Sequence, residues 1–135
     1  MPARPSRFPP AARGTLDASI LRAIQACHTC AEACIVCADT SLDDAAASLS
    51  RCIRLALDCA EACSTAGPAL ARRTSANAVL LKQMAETCAR LCAACAAECE
   101  LHVEEHDHCR VCAEACRACE RACQAAAVSL GATGP

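Results

Sequence analysis

The sequence predicts an all-α protein, an antiparallel four-helix bundle with a cysteine-lined core, on three observations. Apolar and cysteine residues recur in steps of three and four along four separate segments, and no segment shows the alternation of a strand. The 135-residue chain contains 34 alanines, the best helix former. The segments are joined by short connections, which make consecutive helices antiparallel neighbours.

Residues 1–14, MPARPSRFPPAARG, read as a flexible tail, residues 15–130 as the bundle, and 131–135 as a short C-terminal tail. The first helix starts at Thr15 and carries the stripe Leu16, Ile20, Ala23, Cys27, Cys30, Cys34, Cys37. Ser41 to Asp44 reads as a capping box opening the second helix. That helix has the stripe Leu49, Cys52, Ala56, Cys59, Cys63 and is expected to stop at Gly67-Pro68. After the connection GPALARRTS, Ser75 is the expected N-cap of the third helix. Its stripe is Leu81, Met84, Cys88, Cys92, Cys95, Cys99, His102. The fourth helix carries Cys109, Cys112, Cys116, Cys119, Cys123, Val128 and is expected to end before Gly131. The boundary between these two helices falls near EEHDH, a stretch without glycine or proline.

The interior cannot be an ordinary one. Phe8 is the only aromatic residue, and Leu, Ile and Val together number 21, whereas 16 residues are cysteine. A net charge of -2, with acids and bases mixed, no basic stripe and no aromatic platforms, argues against nucleic-acid binding. No uninterrupted apolar run approaches the ~18 residues of a membrane span. The N-terminal stretch has positive charge but no apolar segment behind it, so no secretory signal is expected. The expected compartment is therefore the cytoplasm, where thiols stay reduced.

The motif CAEAC occurs at 30–34, 59–63 and 112–116, with a scrambled copy, CAAEC, at 95–99. On a helix, residues i and i+4 share a face with Cβ atoms about 5–6 Å apart. A disulfide needs about 3.5–4.5 Å, so the pair is poorly placed for one. Two sulfurs can instead share one metal ion, being separated by up to twice a metal–sulfur bond of about 2.3 Å. The intervening Glu32, Glu61 and Glu114 lie about 200° round the helix and are expected to face solvent.

All sixteen cysteines fall on the four inward stripes, so thiols from every helix line the bundle axis. The pattern C-x2-C-x3-C within helices does not match an iron–sulfur ferredoxin loop. Sixteen thiols also exceed what one or two structural zinc ions need. Soft thiolates select Cu(I), which accepts two- or three-coordinate sites, and bridging thiolates would hold on the order of one ion per cysteine. A metallothionein-like zinc or cadmium buffer and a thiol redox protein cycling C-x2-C pairs remain as alternatives. No motif pairs one activated cysteine with a catalytic base, and an enzyme is not expected; His28 beside Cys27 is the nearest approach.

The two ends of such a tube differ. One gathers Leu16, Ile20, Leu81, Met84, Val128 and Leu130 and is expected to be plugged with hydrocarbon. The other gathers Cys37, Cys52, Cys99 and Cys109 with His102, His106 and His108 beside them. Imidazole is a borderline ligand that titrates near neutrality, which suits a site that admits copper and passes it to the thiols. His28 is expected at the surface or in a subunit contact rather than as a ligand, and Met84 in the plug rather than on copper.

The runs CHTCAEACIVC and CRVCAEACRACERAC, the repeated CAEAC and the four-helix layout resemble the bacterial copper storage proteins, in their cytosolic form. The resemblance covers Thr15 to Leu130. It implies a bundle filled with many Cu(I) ions held by thiolates, and association of bundles into a homo-oligomer, a tetramer. The candidate ligands are the sixteen stripe cysteines with His102, His106 and His108.

Overall fold

A computed structural model of the protein describes residues 17–44 and 47–132. The expected tail at 1–14, together with Thr15, Leu16 and residues 133–135, lies outside the described residues. Four helices follow in order: α1 (Ala18–Asp43), α2 (Ser50–Ala71), α3 (Ala78–Glu100) and α4 (Asp107–Ala132), with a 3-10 turn at Ala47–Leu49 leading into α2. Among the described residues there is no strand. Each helix packs against its chain neighbour, and α4 returns to pack on α1, which closes the four-helix bundle.

Asp17 starts α1. Its Oδ1 accepts from Ser19 N at 2.7 Å and Ile20 N at 3.4 Å, satisfying two free amides of the first turn. Its Oδ2 accepts from Ser129 Oγ at 3.0 Å, which ties the start of α1 to the end of α4. The Ser129 hydrogen bond and then the Ser19 amide lower the Asp17 pKa. By length and composition α1 is apolar enough to cross a membrane, with mean hydropathy 1.3. Its buried stripe, Cys27, Cys30, Cys34 and Cys37, faces the other helices, so this hydropathy belongs to a core helix.

The capping box at Ser41–Asp44 does not form. α1 continues to Asp43, Ser41 is buried in its last turn, and Asp44 is its C-cap. The stop at Gly67-Pro68 is also overridden, since α2 runs through Pro68 to Ala71. Proline normally pushes the preceding residue out of the helical region by crowding its Cβ. Gly67 has no Cβ, and one added there would lie 3.2 Å from Cys27 Cβ, so α1 and α2 approach closely at this point. Burial of Ala69 and Leu70 beyond the proline rewards the extra turn.

The α2–α3 connection is pinned by Asn77, not by Ser75. Asn77 Oδ1 accepts from Thr74 N at 2.9 Å and its Nδ2 donates to Arg72 O at 3.3 Å, and Asn77 is the N-cap position of α3. α3 ends at Glu100, so His102 lies in the following turn rather than on the helix. The break at EEHDH is where it was expected, with α4 starting at Asp107. α4 passes through Gly131 to Ala132 instead of stopping before it.

The interior divides into two clusters. The larger contains all sixteen cysteines with Leu49 and small residues such as Ala31, Ala60, Ala89 and Ala113 at the helix contacts. The smaller is hydrocarbon: Ile20, Ala23, Ala69, Leu70, Leu81, Ala126 and Leu130, with Ile24, Met84 and Ala122 packed against it. This is the expected plug with two changes. Val128 is 73% exposed and takes no part, and Leu70, on the turn beyond Pro68, does.

Candidate metal centre

Helical spacing and bundle packing together place every cysteine inward; all sixteen are buried, free thiols. Within a helix the i, i+4 sulfurs lie 3.9 Å apart for Cys30–Cys34 and Cys119–Cys123, and 4.0 Å for Cys112–Cys116. These separations are too long for an S–S bond of about 2.05 Å and within the ~4.6 Å that one metal ion can bridge.

Between helices the spacing is the same or shorter. α1 and α4 bring Cys27 within 3.7 Å of Cys123, and Cys30 and Cys34 each within 3.7 Å of Cys116. α2 and α3 join through Cys52–Cys99 at 3.4 Å, Cys59–Cys92 at 3.6 Å and Cys63–Cys88 at 3.7 Å. The two halves meet through Cys30–Cys59 and Cys63–Cys119, both at 3.9 Å.

Sulfurs within 4.8 Å of one another form overlapping groups. Four of these are Cys27/Cys88/Cys119/Cys123, Cys30/Cys34/Cys59/Cys116, Cys30/Cys63/Cys92/Cys119 and Cys34/Cys95/Cys112/Cys116; Cys37, Cys99 and Cys112 make another. Cys30, Cys34, Cys116 and Cys119 each belong to two of the groups of four. A closed tetrahedral zinc site uses each thiolate once. Shared membership is the geometry of bridging thiolates in a continuous cluster.

The thiols act on each other's protons. Cys52 is lowered to about 3 by S–H donation from Cys37 and Cys99, and Cys27 to about 5 by donation from Cys119 and Cys123. Cys109 is pushed up to about 12, first by burial and then by the charge of Cys52. Cys116 is raised, with Cys112 the largest cause, and Cys99 likewise. A first thiolate in this core is therefore stabilised by neighbouring S–H groups. Each further ionisation removes a donor and adds repulsion, until a cation replaces the protons.

His102, His106 and His108 come to one end of the bundle, with partners that sequence reasoning missed. His106 Nδ1 lies 2.8 Å from Asp44 Oδ2, and the same oxygen is 3.7 Å from His108 Nε2. His108 Nε2 is also 3.1 Å from Ser41 Oγ, and the His106 and His108 ring centres are 5.4 Å apart. His102 Nε2 sits 2.9 Å from Glu98 Oε2, whose other oxygen is 3.2 Å from Arg51 Nε. Glu98 was legible. In CAAEC the glutamate is displaced by one position relative to CAEAC, which rotates it about 100° round the helix and off the solvent face, where its side chain is 12% exposed. Asp44 carried no local signal, because its partners are more than sixty positions away in the chain.

Two expectations about exposure are met. Glu32, Glu61 and Glu114 are exposed. The His28 side chain is 81% exposed, 3.7 Å from Glu32.

A sequence model described as the copper storage protein family matches residues 17–128. The copper storage protein of Streptomyces lividans loaded with 10 copper equivalents is 41% identical, with a TM-score of 0.85 over 91% of this chain and 94% of that one. A cytosolic copper storage protein of the same organism, described during copper loading with five coppers, is 44% identical, with a TM-score of 0.78 over 82% and 92%. The apo form of copper storage protein 3 from Bacillus subtilis is 36% identical, with a TM-score of 0.67 over 79% and 97%. A search of curated protein sequences returned no match.

Proposed function

The chain belongs to the copper storage protein family, and from that premise we propose that its sixteen core cysteines are the ligands of a many-ion Cu(I) store, filled past His102, His106 and His108. The observation that carries the reading is the set of sulfurs 3.4 to 4.0 Å apart drawn from all four helices, tied together by overlapping groups within 4.8 Å. Sulfurs at that spacing need only small rotations to take Cu(I) two or three at a time, and bridging brings capacity to on the order of one ion per cysteine. Cargo and container then neutralise each other, because each thiol that loses a proton gains a share of a monovalent cation.

The storage unit is the bundle over residues 15–130, flanked by tails, and its purpose is storage and detoxification without catalysis. Cytoplasmic residence is supported by the reduced thiol core and by the cytosolic Streptomyces relative. Self-association into a homo-tetramer is supported by large apolar residues left at the surface, among them Ile35, Val36, Leu42, Val79 and Leu80. Light scattering of the full chain tests that state; a monomer at all concentrations would remove it.

Anaerobic titration with Cu(I), followed by metal analysis of the separated protein, tests the store itself. Saturation at ten or more ions per chain is expected. Saturation at one or two, or a preference for zinc at four thiols per ion, would replace the reading with a structural or buffering site.

A further inference from the structure

Copper admitted at the histidine mouth reaches one part of the core last. Cys27, Cys88, Cys119 and Cys123 form the group beside the hydrocarbon plug, one helical turn from Ala23, Met84 and Ala126. Filled only from the mouth, this group would receive ions that had crossed every outer cluster, each a tight trap.

The structure offers a shorter way in. A groove of about 760 Å³ runs between α2 and α3, walled by Glu61, Ala62 and Ala66 on one side and Leu80, Met84 and Cys88 on the other. Met84 and Cys88 are four residues apart on α3, so they share a face with Cβ atoms about 5–6 Å apart. That separation lets a thioether and a thiolate meet on one metal ion, and both are soft donors suited to Cu(I). Cys88 Sγ is in turn 3.7 Å from Cys63 Sγ. Ala62 and Ala66 leave the groove open by having almost no side chain, and Glu61 with Asp58 gives its lining negative charge. Met84 also packs against the plug, a task that leucine would perform equally well. What methionine adds is a soft thioether on a residue that lines the groove.

We propose that Met84 and Cys88 form a lateral Cu(I) transfer site, through which ions reach the plug-end thiols from the side of the bundle. The ion arrives as Cu(I) and stays Cu(I). Met84 binds it first, Cys88 loses its thiol proton to solvent as its Cu–S bond forms, and the ion then passes to Cys63 and the Cys27/Cys119/Cys123 thiols.

The inference rests on the storage reading, and the experiment separates the two. The parent is the folded full chain with His102, His106 and His108 all replaced by alanine, loaded anaerobically with Cu(I) in a stopped-flow instrument. Adding Met84→Leu, a volume-conserving change, is expected to slow the remaining loading roughly tenfold with final capacity unchanged. Ala62→Leu, which narrows the groove while keeping both sulfurs, is expected to slow it comparably and covers the case in which the leucine variant folds poorly. Met1 and Met84 are the only methionines. Selenomethionine-labelled wild-type chain at low copper loading should therefore show a Cu–Se contact by X-ray absorption that Met84→Leu removes. Unchanged rates in either folded variant, or no Cu–Se contact, overturn the lateral site while full capacity leaves storage intact. A parent chain that holds no copper at saturation would instead overturn storage.

Discussion

Removing two thiols from the middle of the tube should lower capacity in proportion and leave the rest working. Cys59 and Cys63 are the test pair. Cys59 Sγ lies 3.6 Å from Cys92 and 3.9 Å from Cys30, and Cys63 Sγ lies 3.7 Å from Cys88, 3.8 Å from Cys92 and 3.9 Å from Cys119. At on the order of one ion per cysteine, Cys59→Ala with Cys63→Ala removes about one-eighth of the store. Each change deletes one buried heavy atom, comparable to an Ile→Val truncation, at a cost of about 1 kcal/mol. A total near ~2 kcal/mol is tolerable for a domain stable by roughly 5–15 kcal/mol. The mouth thiols Cys37, Cys52 and Cys99 are untouched, so the initial loading rate should match wild type. Anaerobic titration with metal analysis reads the capacity, stopped-flow loading reads the rate, and circular dichroism of the apo variant checks the fold. Capacity equal to wild type would show that these thiols are not ligands. A folded variant that loses more than half its capacity would show that the store assembles as one unit, against site-by-site filling.

Replacing His102, His106 and His108 together should slow loading or removal of copper by at least several-fold with capacity nearly unchanged; wild-type rate with much lower capacity would make them storage ligands. The reduced apo chain should be highly helical by circular dichroism, since the caps and alanine-rich stripes do not depend on metal. Its stability should fall as pH rises from about 9 towards 12. Cys109, raised to about 12 by burial and then by Cys52, keeps its proton when folded and loses it earlier when unfolded, so stability is full below about 9 and declines through that window; denaturant melts across pH check the sign. Loading in weak buffer should release close to one proton per ligand thiol; binding without proton release would place the metal elsewhere. Leu81→Ala, which truncates a buried plug residue, should cost about 2–5 kcal/mol in thermal or denaturant unfolding with copper capacity unchanged.

The sequence by itself determined the parts of this protein that depend on helical period. Steps of three and four put all sixteen cysteines on inward stripes, and the same rule turned Glu32, Glu61 and Glu114 outward and left Ile20, Leu81 and Leu130 at the opposite end from the histidines. Only the tertiary structure decided where burial outweighs local preference. Gly67-Pro68 looks like a stop in any isolated segment, yet α2 passes through it because the next turn carries Leu70 into the plug and Gly67 lets α1 come close. Ser41 and Asp44 look like a cap, yet they meet His108 and His106 from the far side of the chain. Val128 sits on the predicted stripe and still faces outward. It also took the fold to make separate stripes into one shared set of sulfurs, in which Cys30 serves two groups at once. A repeat in sequence fixes which face of each helix is thiol. Which thiols share an ion depends on distances between helices, and those are set by how alanine and glycine let the backbones approach.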